Sequence, residues 1–161
     1  MTKIIGIDPG LASTGVGMVR GTNLRVEAYS FTTIRTSKDS VLSARLNQIY
    51  EELFDIFKNE QPDNVIIEDI FSLKVYPNSG ISLGKVSGVI LLACSQLNIP
   101  VNEIPVKEAK KILTGNGNAG KEQLANAVGN ILKRKTKIDS FHASDALALA
   151  IIGLFRNKGD H

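Results

Sequence analysis

Four side chains able to ligate a metal fall where strands end or a helix begins: Asp8, Glu68, His142 and Asp145. Asp8 closes the run Ile4-Ile5-Gly6-Ile7, whose β-branched residues read as a strand buried on both faces. Burying an unpaired carboxylate there costs several kcal/mol unless something cationic compensates it. Pro9-Gly10 turns the chain at once and leaves Asp8 at the carboxyl end of its strand, where open α/β sheets place their ligands. Glu68 arrives the same way, after Val65-Ile66-Ile67. Asp69 follows it, and because adjacent strand residues face opposite ways, only one of the two can share Asp8's site. His142 and Asp145 are three apart, so they project from one face of a helix, ahead of the apolar run Ala146 to Leu154.

Taken singly, each residue has a simpler reading: a histidine on a helix is an ordinary capped or core residue, and an acid at a strand end is a turn residue. Taken together they are donors from three separated elements. Converging carboxylates repel strongly in a low dielectric, and divalent cations are the usual remedy. Three carboxylates and one imidazole suit Mg²⁺ or Mn²⁺ better than Zn²⁺, which favours more histidine or cysteine. Two such ions about 4 Å apart can activate a water, hold a scissile phosphate and neutralise the leaving oxygen.

The elements that must position these groups follow from periodicity. Thr14 to Val19 reads as a second strand, and Arg20-Gly21-Thr22-Asn23 is turn chemistry leading into a third, Leu24 to Ile34, as in an antiparallel meander. Ser40 is placed to cap a helix in which Leu42, Leu46, Ile49, Leu53 and Phe57 recur at helical spacing until Gln61-Pro62. The strand Asn64 to Ile70 leads to a loop, Phe71 to Asn78, carrying Phe71, Lys74 and Tyr76. A helix over Ser79 to Leu97 follows, with Gly84 and Gly88 four apart, so that it either crosses its own sheet or also packs against a partner. Then come a strand, Val101 to Pro105, a short basic helix, Val106 to Leu113, and a Gly-rich loop, Thr114 to Gly120. Two further helices, Lys121 to Leu132 and Ser140 to Phe155, flank the basic linker Lys133 to Lys137. This order implies a mixed sheet with helices packed on it, in one α/β domain over residues 1–161.

Composition agrees. With 43% apolar residues in 161, the chain can bury a real core. Its apolar runs fall far short of the roughly 20 residues that span a bilayer, and the N-terminus lacks a charged-then-apolar signal pattern, so a cytoplasmic protein without membrane association is expected. The one cysteine, Cys94, sits in an apolar stretch and reads as core filler. The net charge is +3, yet between Glu103 and Lys137 eight basic residues face three acidic ones, a local excess of +5. Charge alone fits a solvated lysine-rich surface, but set beside a carboxylate site it points to a polyanionic partner.

Gly115 to Lys121 has the spacing of a phosphate-binding P-loop, but Glu122 stands where a hydroxyl should meet Mg²⁺, and Glu108 to Leu113 reads as a helix where a strand is required. Nucleotide binding is rejected. The glycines instead let backbone approach a polynucleotide phosphate, with Lys121 adding charge at a helix start.

The combination resembles the RuvC family of bacterial Holliday-junction resolvases, in the RNase H-like superfamily. Asp8-Pro9-Gly10 with Thr14-Gly15, Ile66-Ile67-Glu68 with Phe71, and Ala143-Ser144-Asp145-Ala146-Leu147-Ala148 resemble its three motifs. Arg45-Leu46, Leu83-Gly84 with Gly88, and the Gly115-x-Gly117 loop between Lys110 and Lys121 extend the likeness along nearly the whole chain. The resemblance implies an RNase H-like α/β fold: a mixed five-stranded sheet, antiparallel among its first three strands and parallel beyond, with helices on both faces. It implies that Asp8, Glu68, His142 and Asp145 bind two Mg²⁺ ions, replaceable by Mn²⁺, and hydrolyse a DNA phosphodiester. Phe71 stacks on a base near the crossover in that reading, and Lys74, Lys85, Lys110, Lys111, Gly117 and Lys121 complete the DNA-contacting set. The implied substrate is a four-way junction, nicked symmetrically by a homodimer to leave 5′-phosphates. The implied partners are a junction-binding tetramer and an ATP-driven branch-migration motor. His142 stands where many members carry Asp, though histidine also occurs, and a protonated imidazole cannot ligate. The competing enzyme is another RNase H-like nuclease acting on RNA–DNA hybrid or structured RNA. An actin-like ATPase needs two such lobes, and a catalytically dead junction-binding module is disfavoured by the four intact ligands.

Overall fold

The computed structural model describes residues 1–70 and 77–157. Its centre is β1 (Thr2–Asp8), whose isoleucines are wholly buried. β1 pairs antiparallel with β2 (Ser13–Thr22), and β2 with β3 (Arg25–Arg35). On its other side β1 runs parallel to β4 (Asn64–Glu68), and β4 parallel to β5 (Val101–Ile104), giving the order β3-β2-β1-β4-β5. This is the expected mixed five-stranded sheet.

Strand alternation divides the core in two. Ile5, Ile7, Val65 and Ile67 face α1 (Leu42–Glu60) and α2 (Pro77–Gln96), burying Leu53, Phe57, Val86 and Ile90. Ile4, Val19 and Ile66 face the opposite way, toward α5 (Phe141–Arg156), with α3 (Val106–Thr114) and α4 (Lys121–Ile131) packed beside it through Ala109, Leu124 and Val128. Helices therefore cover both faces. Cys94 lies in the first core, and burial pushes its thiol up to about 12. In native protein a thiol reagent such as dithiobisnitrobenzoate should leave Cys94 unlabelled at pH 8 and modify it fully in denaturant, as followed by absorbance. Rapid native labelling would contradict this packing.

Several boundaries depart from the sequence reading: β2 runs on through Arg20-Gly21-Thr22, where a turn was expected, and two helix starts differ. Ser40 does not cap α1. Val41 holds the cap position in extended conformation with no side-chain bond, while the Ser40 N–H donates to the Ser37 carbonyl in a preceding turn. α2 starts at Pro77 rather than Ser79, because proline is well suited to a first helical position. Phe71, Lys74 and Tyr76 lie outside the described residues.

A glycine floor decides how α5 sits. Gly6 lies directly opposite Gly17 in the β1–β2 ladder, and Asp8 opposite Gly15. A Cβ on Gly6 would stand 2.0 Å from the Ala146 carbonyl oxygen, one on Gly15 2.1 Å from that of His142, and one on Gly17 2.5 Å from the Leu147 nitrogen. Helix backbone thus rests on strand backbone, an approach that only glycine allows.

Candidate active site

The parity that sends Ile4 and Gly6 toward α5 sends Asp8 there too, at the end of β1. In β4, Ile66 and Glu68 share that face. Since Ile7 pairs with Ile67 in parallel register, Asp8 and Glu68 are neighbours one step beyond. Both are buried, at 7% and 8% exposure. Asp69 points elsewhere in the strand alternation, and its N–H donates to the Ile104 carbonyl.

α5 closes the arrangement. The Ser140 hydroxyl caps it, accepting from the Ala143 N–H at 3.3 Å. The first turn then lies over the strand ends, and His142 donates through Nδ1 to Asp8 Oδ2 at 2.8 Å. His142 is half exposed, and Asp145 is partly buried behind it.

The electrostatics are those of buried, mutually repelling carboxyls flanked by lysines. Burial first, then the hydrogen bond and charge of Asp8 and the charge of Asp145, push the Glu68 carboxyl up to about 9, against a pull from Lys110. Burial and the Asp8 charge raise Asp145 to about 6, opposed by Lys121, Lys110 and His142. The hydrogen bond to Asp8 raises His142 above its ordinary value, with burial working the other way. Three carboxyls and an imidazole converge, and two of the carboxyls bind protons more tightly than usual, chiefly because burial disfavours their charged forms. The donor set fits a hard divalent cation. In this arrangement His142 is drawn to Asp8, and among the described residues no three His, Cys, Asp or Glu side chains are placed to hold a metal ion together.

This has a measurable sign. A carboxyl raised from 4.5 to about 9 on folding makes the native state bind more protons than the unfolded chain between those values, so its contribution falls as pH rises through that window. In chelator, Glu68→Gln should therefore melt several degrees above wild type at pH 8, with the gap closing toward pH 4. Adding Mg²⁺ should stabilise wild type more than the variant. A lower melting point for Glu68→Gln at pH 8 in chelator would contradict this account.

Lys110 on α3 and Lys121 at the start of α4 flank the cluster, and both act on Asp145 through space. Lys111 is exposed on α3 and Lys85 on α2. Gly117 packs beside Lys107, where a Cβ would stand 3.3 Å from its Cγ. Sequence reasoning missed Phe141, which precedes His142, is 43% exposed and lies beneath Lys121 Nζ at 5.8 Å from its ring centroid. Its signal was present, as an aromatic next to a candidate ligand, but it blends into the apolar composition of α5.

The family model described as crossover junction endodeoxyribonuclease RuvC matches residues 4–153. The chain belongs to the RuvC family. The family's protein from Actinobacillus succinogenes, a crossover junction endodeoxyribonuclease, is 39% identical over 94% of this chain and 78% of its own length. That from Carboxydothermus hydrogenoformans, of the same description, is 37% identical over 98% of each. Among solved structures, T. thermophilus RuvC in complex with Holliday junction substrate superposes with a TM-score of 0.87 at 27% identity, over 94% of this chain and 92% of that one. The RNase H-like fold expected of a RuvC protein is the fold described above.

Proposed function

We propose that this chain is a metal-dependent endonuclease that nicks two symmetric phosphodiesters of a four-way DNA junction in recombination and repair, leaving 5′-phosphates. One observation carries the reading: in a RuvC-family chain, His142 and Asp145 of α5 come together with Asp8 and Glu68 at the carboxyl ends of β1 and β4.

Asp8, Glu68, Asp145 and His142 hold two Mg²⁺ ions, with Mn²⁺ as a substitute. Bound there, the metal supplies an activated water and charge neutralisation at the leaving oxygen. Asp8 fixes the geometry, since it sits on a buried strand and orients His142 through the Nδ1 bond. Glu68 gives up its proton when the site is charged, so binding is favoured as pH rises. Lys110 and Lys121 meet phosphates on either side of the cut, together with Lys111 and the backbone around Gly117. Phe71 stacks on a base near the crossover, as an aromatic can without reading sequence, and Lys74 and Lys85 add DNA contacts.

The enzyme works as a homodimer. α2 supports this: Ile81, Leu91 and Leu92 are exposed at 59%, 40% and 53%, and nothing lies within 4 Å of the Cβ position of Gly88. A twofold pair of sites matches the twofold symmetry of a junction. A junction-binding tetramer and an ATP-driven branch-migration motor are its partners in the cytoplasm. Among the described residues no helix is long and apolar enough to cross a membrane.

A gel assay tests the reading. Four-way junction, plain duplex and RNA–DNA hybrid are incubated with Mg²⁺ or with chelator. Paired nicks in the junction alone, and only with Mg²⁺, are expected. Cleavage of hybrid with the junction left intact would assign the chain to the other RNase H-like nucleases.

A further inference from the structure

Outside the carboxylate cluster, the most strongly charged surface is the connection from α4 to α5. Lys133, Arg134, Lys135 and Lys137 fall within five positions, and among the described residues neither they nor Lys121 form a salt bridge. With α4, this connection walls a groove of about 190 Å³. Asn126, Asn130, Arg134, Lys137 and Phe141 line it, and Glu122 is the one acid in its lining. Such a concentration of like charge is self-repulsive and calls for an anion that the described residues do not supply.

Two of the cations, Lys121 and Arg134, are held in place by rings. Lys121 lies over Phe141, and the Arg134 guanidinium lies 5.7 Å from the Tyr29 ring centroid and 5.2 Å from that of Phe31. Arg134 also donates to the Thr136 carbonyl at 3.2 Å, to the Tyr29 hydroxyl at 3.1 Å and to the Thr136 hydroxyl at 3.3 Å. These bonds occupy three of the five N–H groups of a guanidinium and leave the other two for a ligand. A base cannot stack on ring faces that cations already cover. What the surface offers is positive charge at fixed positions, which suits phosphate oxygens and carries no sequence preference. The groove also adjoins the carboxylate cluster: Phe141 precedes His142, and Lys121 is close enough to act on both His142 and Asp145.

We propose that this basic connection holds the phosphate backbone of the duplex arm of DNA leaving the cleavage site, gripping its phosphates with Arg134, Lys135 and Lys137. The inference rests on the junction-cleavage reading and assigns a surface that reading leaves without a role.

The test uses the full chain carrying Asp8→Asn, so that bound DNA is not cut. Binding of a fluorescent four-way junction is followed by anisotropy over a range of KCl concentrations, with and without the added pair Lys135→Gln and Lys137→Gln. Both lysines are exposed, so the pair should leave the melting temperature unchanged. Affinity should fall about tenfold at low salt, and the slope of log K against log salt should become shallower by about 2, as two lost phosphate contacts require. Junctions with arms trimmed to a few base pairs should bind both proteins alike. Arg134→Gln should also weaken binding, but it loosens the connection from Tyr29 and so is read only beside its melting curve. Equal affinity and slope for the Lys135/Lys137 pair and its parent on long arms would overturn this inference alone. Failure of the Asp8→Asn parent to bind any junction would overturn the cleavage reading and the inference with it.

Discussion

Asp8→Asn should abolish Mg²⁺-dependent nicking of a four-way junction while leaving junction binding close to that of wild type. Asn keeps the shape of the side chain and removes its charge, so what is lost is electrostatic. Asp8 is the hub of the cluster: it accepts from His142 at 2.8 Å, and its charge raises both Glu68 and Asp145. Losing one preorganised electrostatic partner at a reacting centre costs about 100-fold in rate or more. Lys110, Lys121 and the α4–α5 groove do not depend on that carboxylate, so the phosphate contacts persist. Initial nicking rates on a gel, paired with anisotropy binding curves, check both halves. Cleavage near the wild-type rate would remove Asp8 from the site.

Gly6→Ala should be as damaging to the fold as Asp8→Asn is to chemistry. The added methyl would lie 2.0 Å from the Ala146 carbonyl oxygen and 2.6 Å from the Ala150 nitrogen, and both are backbone atoms that cannot rotate aside. α5 must lift from the sheet, at about 3 kcal/mol or more by the upper range of overpacking costs. The lifted helix carries His142 and Asp145, so the residual folded protein should also nick slowly. Gly129→Ala is the matched control. It lies within α4 with nothing within 4 Å of its Cβ position, and alanine there should stabilise by about 0.5–1 kcal/mol. Urea unfolding followed by circular dichroism separates the two, and an unchanged midpoint for Gly6→Ala would contradict the packing described.

The difference between those glycines marks where the sequence was legible. Parity within Ile66-Ile67-Glu68-Asp69 was enough to say that one carboxylate could join Asp8, and the fold selects Glu68. The order of elements likewise yields the sheet, since short connections and parallel crossovers leave few topologies. Gly6 and Gly17 were unremarkable in the sequence, and Gly15 stood out only as part of a motif, because their structural reason is a helix that follows about 130 residues later. The clasp of Arg134 on Tyr29 spans 105 positions and has no local signature. Ser40 shows the opposite failure: a good local signal was overridden by a turn that engages the Ser37 carbonyl first.

The glycine floor also has a meaning in time. Asp8 and His142 stand 134 positions apart, and all five strands precede the helix that covers them. Contacts of such long range form late in folding. On the ribosome, a chain that has not yet made its last helix carries Asp8 and Glu68 on bare, uncovered backbone, without His142 or Asp145 to complete the cluster. On the active-site assignment proposed above, the ability to cut DNA therefore arrives in the same event that seals the second core.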